Sequence, residues 1–396
     1  MSSFTFPIGI HTPLQHAQAL PDKVDIVIIG GGVIGICAAL FLRRHGQSVF
    51  VCEKGRVAGE QSSRNWGWIR QQGRDPDELP IMMEANRIWQ DLNAQLDCDI
   101  GLRQGGIVYF SDIDSELERY EAFTSLAAEH GLQSNLMSRS QVQAMIPDLN
   151  RSYRGALHTP SDMRAEPWVA VPALARLAAE EGVLIRENCA ARRLDTKNGQ
   201  ISGVITEHGH IACEQVLLCG GAWSSLFLQG HGVRIPQLSV RATVVKTSEL
   251  PEVFAGGAVD SKLAFRHRTD GGYSLATSST HDLFLGWDGL RNAKSFWPAV
   301  KNDPFNNRIN PFGPPNYPDS WTVKRSWTAE EETPFERTRI LNPAATGMSG
   351  HGFGIGPGVG RLVADMMSGK QSNHMLHRFR YDRFKNGDPI ILGPAL

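Results

Sequence analysis

The 396-residue sequence predicts an α/β fold, with a parallel sheet in one domain and a second domain beside it. Three observations point that way. The chain opens strand, glycine turn, helix, strand; strands and helices alternate further on; and glycine is in excess, gathered in three places. Average usage of roughly 7 % would supply about 28 glycines, whereas the chain has 40. No collagen-like period or glycine-serine tract absorbs the surplus, so those residues answer to particular backbone positions.

The opening unit begins with VDIVII, residues 24–29, an apolar run of the kind buried on both faces of a parallel sheet. Gly30-x-Gly32-x-x-Gly35 follows, then ICAALFLRRHG with helical periodicity, ending at Gly46. A second apolar strand, residues 48–52, runs into Glu53. Together they make a Rossmann-like βαβ unit of the usual length. Gly30 makes the tight turn, Gly32 lets a pyrophosphate approach the backbone, and Gly35 lets helix and strand close together. Phosphates would then meet the helix N-terminus at Val33 and Ile34, where free amides and the dipole favour anions. Glu53 is placed to accept from ribose hydroxyls. The competing reading is a structural βαβ turn that binds nothing.

Downstream, residues 115–130, 140–146 and 172–181 read as helices, the last closed at Gly182. Residues 183–187, 191–195, 201–207 and 210–213 read as short strands, with turns at Asn198-Gly199 and His208-Gly209. QVLLC, residues 215–219, is another buried strand, entering Gly220-Gly221. Residues 302–320, rich in Pro and Asn, read as an ordered loop. Residues 350–360 read as a glycine-rich entry to a helix over 361–368.

Composition excludes other classes. A net charge of −1 leaves no basic footprint for nucleic acid and no polybasic membrane patch. No apolar run reaches the roughly 18 residues of a membrane-spanning helix, and residues 1–23 lack the pattern of a signal peptide. The six cysteines form no CxxC and have no histidines at zinc spacing. Four of them lie in apolar runs and read as small buried side chains, and a reducing cytoplasm fits best.

A nicotinamide enzyme would continue with regular βα units. Here Glu53 is followed by KGRVAGEQSSRNWGWIRQQGRD, a polar, Trp-bearing stretch suited to running along an extended cofactor. With DIVIIGGGVIGICAALFLRRHGQSVFVCEK, EQSSRNWGWIR, QVLLCGGAWSS and GMSGHGFGIGPGVGRLVADMMSG, the chain resembles a known superfamily. It is that of the FAD-dependent D-amino-acid oxidases, glycine oxidases and sarcosine oxidases. The SSRNWGWIRQQGRD wording is most similar to bacterial L-amino acid oxidase-type members. The resemblance implies a glutathione-reductase-type FAD-binding domain from residues 1–100, 155–230 and 335–396. Interleaved with it would be an antiparallel-sheet substrate domain from residues 101–154 and 231–334.

The same resemblance assigns cofactor contacts. Glu53 and Lys54 follow the second strand, and Ala190 or Ala191 would give adenine a backbone contact. Ser62, Ser63, Arg64, Asn65, Trp66 and Gly67 would pass the pyrophosphate and reach the isoalloxazine, with Gly67 admitting backbone to the ring. Gly220, Gly221 and Trp223 would lie over the cofactor. Gly350, His351, Gly352, Phe353, Gly354 and Ile355 would line the flavin pyrimidine edge, a helix N-terminus there stabilising negative charge on the reduced ring. The cysteine that links flavin in sarcosine oxidases has no counterpart near residues 347–352, so noncovalent FAD is expected.

An amino-acid carboxylate calls for a planar arginine in a dry pocket. In LAFRHRTDGGYSLATSS, Arg266 and Arg268 share one strand face, Thr269–Gly272 turn, and Tyr273 faces back. Arg325, in the strand-like WTVKRSW, is a second candidate. His351 has both a catalytic and a structural reading. Trp66, Trp68, Trp223 and Trp327 read either as core or as an apolar cage for the substrate side chain. The lysine that assists oxygen in sarcosine oxidases is missing from GGYSLATSS. The expected reaction is oxidative deamination of a free amino acid, with L favoured, to an oxo acid and ammonia. Hydride would leave Cα for flavin N5, and O2 or a quinone would accept the electrons. The rivals are oxidation of N-methyl, secondary or D-amino acids, and a non-catalytic flavin-binding subunit. Residues 291–320, which fit the superfamily pattern poorly, would shape pocket access or a homo-oligomer contact.

Overall fold

The computed structural model of the chain describes residues 6–277, 281–302, 307–315, 317–325 and 351–388. β1 (Ile26–Ile29), α1 (Val33–Arg44) and β2 (Val49–Cys52) form the opening unit, as the apolar runs and the glycine turn dictate. Later in the chain come α2 (Leu79–Asn93), α3 (Pro167–Glu180), β3 (Leu184–Arg186), β4 (Gln215–Leu218) and α4 (Gly352–Met367). The four strands make one parallel sheet in the order β4-β1-β2-β3. Alternation within β1 and β2 sorts its two faces. Ile26, Ile28, Val49 and Val51 join a core with residues of α1 through α4. Val27, Ile29, Phe50 and Cys52 join another with Val204, Ile211 and Trp223. Val204 and Ile211 come from a three-stranded antiparallel sheet, Ala191–Lys197, Gln200–Thr206 and Gly209–Ala212, so this half is a stack of helices, parallel sheet and hairpin layer.

The glycine-rich C-terminal segment is itself helix, not an entry loop. α4 runs parallel to α1 at very close range. A Cβ at Gly356 would lie 2.7 Å from Val33 Cγ2, and one at Gly360 would lie 2.6 Å from Cys37 Cβ. On the opposite flank, a Cβ at Gly358 would lie 2.9 Å from the Ile81 carbonyl oxygen of α2. Glycine's helix penalty is offset by letting three helices pack with almost no side chain between them. α2, which sequence reading passed over, also donates from Trp89 Nε1 to the Gly354 carbonyl at 2.9 Å.

The second half is a seven-stranded sheet. In spatial order its strands are Val244–Glu249, Gly272–Thr277, Leu263–His267, Gly257–Val259, Ile107–Ser111, Gly155–Thr159 and Asn135–Ser138. All neighbours are antiparallel except Gly257–Val259 with Ile107–Ser111. Gly155–Thr159 pairs on both sides within this seven-stranded sheet. A small sheet of Trp68–Ile69, Met163–Arg164 and Arg103–Gln104 joins the two halves. The expected loop at 302–320 contains a strand, Asn307–Asn310, parallel to His281–Phe284. Residues 321–325 form turns rather than the expected strand. Among the described residues no helix is long and apolar enough to cross a membrane, and no three His, Cys, Asp or Glu gather to hold a metal.

Candidate active site

The end expected to take phosphates is built from backbone. Gly30 has φ +113°, and a Cβ there would lie 2.4 Å from the Cys219 carbonyl oxygen, at the end of β4 beside Gly220. A Cβ at Gly35 would lie 2.1 Å from the Gly30 oxygen, so only glycine lets α1 start this close to the strand. Gly32 caps α1, and the Val33 amide donates to Ser62 Oγ at 2.9 Å. Ser62, with Ser63 and Arg64, lies in a single helical turn, Gln61–Arg64. The loop expected along the cofactor therefore touches the α1 N-terminus, whose first-turn amides have no intrahelical acceptor. α4 begins about one turn ahead of the point where it faces Val33, and so brings a second N-terminus, with His351 as its cap, to the same side.

Glu53 accepts from the Gly31 amide at 2.8 Å and the Gly55 amide at 2.7 Å. Burial pushes its carboxyl up, against the pull of Lys54 and the two amides. Lys54 pairs with Glu60 and lies over the Trp223 ring at 5.2 Å, while Trp223 Nε1 donates to Glu60 at 3.3 Å. Ala191 opens the hairpin layer, and the Ala190 amide donates to Glu207 at 3.1 Å. Beside it is a cleft of about 560 Å³ lined by Ile10, Arg56, Asn188, Arg192, Glu207 and His208. The α1 N-terminus, brought tight against β1 by glycine, fits the phosphates of FAD, and the Glu53 carboxylate at the end of β2, though it already holds the Gly31 and Gly55 amides, has lone pairs left for ribose. Gly350 and Trp327 lie outside the described residues.

Gly67 has φ +76°, but its missing side chain faces protein. A Cβ there would lie 2.4 Å from the Ala165 oxygen and 3.0 Å from an Arg266 nitrogen. Its amide donates to Asn65 Oδ1 at 2.8 Å. Trp66 and Trp68 meet edge-on at 4.8 Å, and Arg64 donates to the Ile8 carbonyl at 2.9 Å.

The arginines singled out from sequence are engaged with protein. Arg266 is fully buried, donates to both Glu166 oxygens at 2.9 Å, and donates from Nε to the Trp66 carbonyl at 2.6 Å. Arg268 donates twice to Asp270, each at 2.9 Å, and stacks over Trp168 at 4.1 Å. Tyr273 is tied to the Pro251 carbonyl and the Val253 amide. Arg325 belongs to a separate network with Gln229, Asp288 and Asp319.

Another cluster, missed in the sequence, lies at the end of the loop expected along the cofactor. Arg70, Gln71, Gln72 and Arg74 are all buried. Asp162 holds the turn by accepting from the Gln71 amide at 2.7 Å and the Gln72 amide at 3.2 Å, and burial pushes its carboxyl up to about 6. Arg74 Nε donates to the Arg70 carbonyl at 2.9 Å. Among the described residues, no group hydrogen-bonds to the Arg70 guanidinium, which lies over the Tyr109 ring at 5.2 Å. Both Gln72 amide atoms and one Arg74 nitrogen are buried without a partner among the described residues. Burial first, then the like charge of Arg74, holds Arg70 well below the ordinary arginine range. His351 Nδ1 is 3.0 Å from Glu78 in this cluster; burial and Arg74 press the imidazole down to about 4. The available signal was a dense polar run, with arginines four apart, on a loop already assigned to the cofactor.

The chain matches the family model "FAD dependent oxidoreductase" (DAO) over residues 25–366. It is similar to L-amino acid deaminase from Proteus myxofaciens, solved in complex with anthranilate, at TM-score 0.87 and 25% identity over 94% of this chain and 96% of that one. Sarcosine oxidase subunit beta from Arthrobacter sp is 25% identical over 96% of each chain. Mitochondrial sarcosine dehydrogenase from Mus musculus is 24% identical over 60% of this chain, and the match spans only 27% of that longer protein.

Proposed function

The chain belongs to the FAD dependent oxidoreductase (DAO) family, and from that premise we propose that it oxidatively deaminates a free amino acid, L-configured by preference. As a family member it is an FAD-dependent oxidoreductase of amino acids or amines, acting on a C–N bond. The observation that carries the finer reading is the Arg70 cluster. Arg70 is a buried residue whose guanidinium has no hydrogen-bonding anion among the described residues, and a substrate carboxylate would supply a close charge and planar acceptors. Gln72 and Arg74 offer further unpartnered donors beside it. His351 stands near Arg74 at the N-terminus of α4, and Trp66, Trp68 and Tyr109 supply apolar surface.

When bound, FAD supplies the two-electron acceptor for converting the Cα–N bond to an imine, which water hydrolyses to oxo acid and ammonia. The chain's own part is to hold and align. Arg70 fixes the carboxylate, the tryptophans exclude water, and the α4 N-terminus favours negative charge at the edge it faces. Preference for L rests on the likeness to the Proteus deaminase across nearly the whole chain. Likeness to the sarcosine oxidase subunit, equally complete, supports N-methyl amino acids as the second reading. Noncovalent FAD is part of the proposal, since none of the six cysteines falls in residues 326–350.

The test is anaerobic reduction of the FAD-loaded protein by a panel of L-, D- and N-methyl amino acids. Bleaching of the visible flavin band by L-amino acids first is expected. Bleaching by N-methyl compounds alone would select the second reading, and bleaching by none would end both. Reoxidation on admitting air separates O2 from a quinone as acceptor.

A further inference from the structure

Three chain segments remote from one another meet at the Arg266–Glu166 pair, and neither residue has a role in the site above. Glu166 is the N-terminal cap position of α3 and is 1 % exposed; Arg266 lies in Leu263–His267 of the seven-stranded sheet and is 0 % exposed. Glu166 is itself anchored, since one of its oxygens also accepts from the Thr269 amide at 2.8 Å. An ion pair this deep need not add stability, because the attraction must first offset the desolvation of both charges. Its third contact shows what else it does.

Arg266 Nε donates to the Trp66 carbonyl at 2.6 Å, and the adjoining Gly67 carbonyl accepts from the Ala165 amide at 2.9 Å, next door to Glu166. Gly67 has no space for a methyl group against the Ala165 carbonyl and the Arg266 guanidinium. The next two residues, Trp68 and Ile69, are paired with Arg164 and Met163. Residues 66–69 are therefore held peptide by peptide, and Arg70 follows at once.

We propose that Arg266 and Glu166 are positioning residues: through the Trp66 carbonyl they set the course of residues 66–70, and so align Trp66 with the cofactor and Arg70 with the substrate. The substrate half of that statement rests on the amino-acid reading above; the cofactor half does not. Neither side chain touches the reacting atoms.

Arg266→Lys separates alignment from charge. Lysine keeps the positive partner of Glu166 but lacks the planar fork that serves a carboxylate and a carbonyl together. The variant is expected to fold and bind FAD with an altered visible flavin spectrum and a shifted midpoint potential. Its limiting rate of anaerobic reduction, by whichever amino acid reduces the wild type best, is expected to fall on the order of 10- to 100-fold. The double variant Arg266→Met, Glu166→Leu replaces the pair by apolar side chains. It is expected to recover thermal stability but neither the spectrum nor the rate. A folded Arg266→Lys protein with unchanged spectrum, potential and rate would overturn the proposal, as would full recovery of all three in the double variant. Spectrum and dithionite-titrated potential need no substrate, so they test the cofactor half even if no amino acid reduces the flavin.

Discussion

Arg70 shows at the residue scale how function and stability pull apart. Arg70 is a buried residue with no hydrogen-bonded anion among the described residues, so Arg70→Met removes an electrostatic cost from the folded protein while removing the proposed carboxylate anchor. Thermal stability of the variant is not expected to fall. Losing one partner of a buried charged contact typically costs about 2–5 kcal/mol of binding, so the substrate KM should rise by roughly 100-fold with FAD content unchanged. Steady-state kinetics beside a melting curve decide it; an unaltered KM would remove Arg70 from the site. His351 makes a separate prediction. Its folded pKa, about 4, lies below the ordinary 6.5, so the unfolded chain binds more protons in that window. The contribution of His351 is whole above pH 6.5 and is lost as pH falls toward 4. Asp162, raised from 3.8 to about 6, acts with the opposite sign over nearly the same range and masks the effect in the wild type. Denaturant unfolding of His351→Gln against wild type should therefore show the variant gaining, relative to wild type, as pH falls from 6.5. A difference independent of pH would contradict the pressed-down imidazole.

Among the elements, α4 makes the sharpest demand. Gly360→Ala would place a methyl carbon 2.6 Å from Cys37 Cβ and 2.8 Å from the Ala38 nitrogen, on a helix whose backbone cannot yield without moving the α1 N-terminus. A destabilisation of about 1–3 kcal/mol is expected, with weaker FAD retention. Denaturant melts and the flavin-to-protein absorbance ratio read the two effects. Glu187 makes a comparable demand on residues 6–23. Its carboxylate accepts from the Gln15 amide at 2.6 Å, the His16 amide at 3.2 Å and the Val57 amide at 2.8 Å. Glu187→Ala should cost about 2–4 kcal/mol, and faster proteolysis ahead of residue 24 should accompany it. These elements differ in how far the sequence reveals them. β1, α1 and β2 are legible because their burial follows from local apolar runs and a glycine turn. α4 is not, because glycine argues locally against helix and only the neighbouring helices reverse that. The same division runs through the site. The strand, glycine turn and helix proposed to take the phosphates are set within a few residues of one another, so that geometry could be read directly. The choice between Arg266 and Arg70 as a carboxylate ligand depends on Glu166, which is 100 residues from Arg266 in the chain.

At the scale of the whole molecule, the question is whether the two halves respond to the cofactor as one body. The parallel sheet and the seven-stranded sheet have separate cores, but three links cross between them: the small sheet of Trp68–Ile69, Met163–Arg164 and Arg103–Gln104, the Arg266–Glu166 pair, and Arg268 stacked on Trp168. The first includes residues 68–69 of the loop proposed to line the cofactor, and the second holds that loop through the Trp66 carbonyl. FAD held by α1, α4 and that loop would stabilise the folded state by mass action, about 2.7 kcal/mol at a hundredfold excess over Kd. With that loop clamped to the seven-stranded sheet through Arg266, the gain cannot stay in one half. Thermal unfolding is therefore expected as a single transition, rising with added FAD, at the same temperature by tryptophan fluorescence, far-UV circular dichroism and flavin release. Arg266→Lys should loosen the link, so that flavin release precedes loss of circular dichroism. Two transitions in the wild type, only one of them moving with FAD, would mean that the halves unfold separately and that the links between them carry little energy.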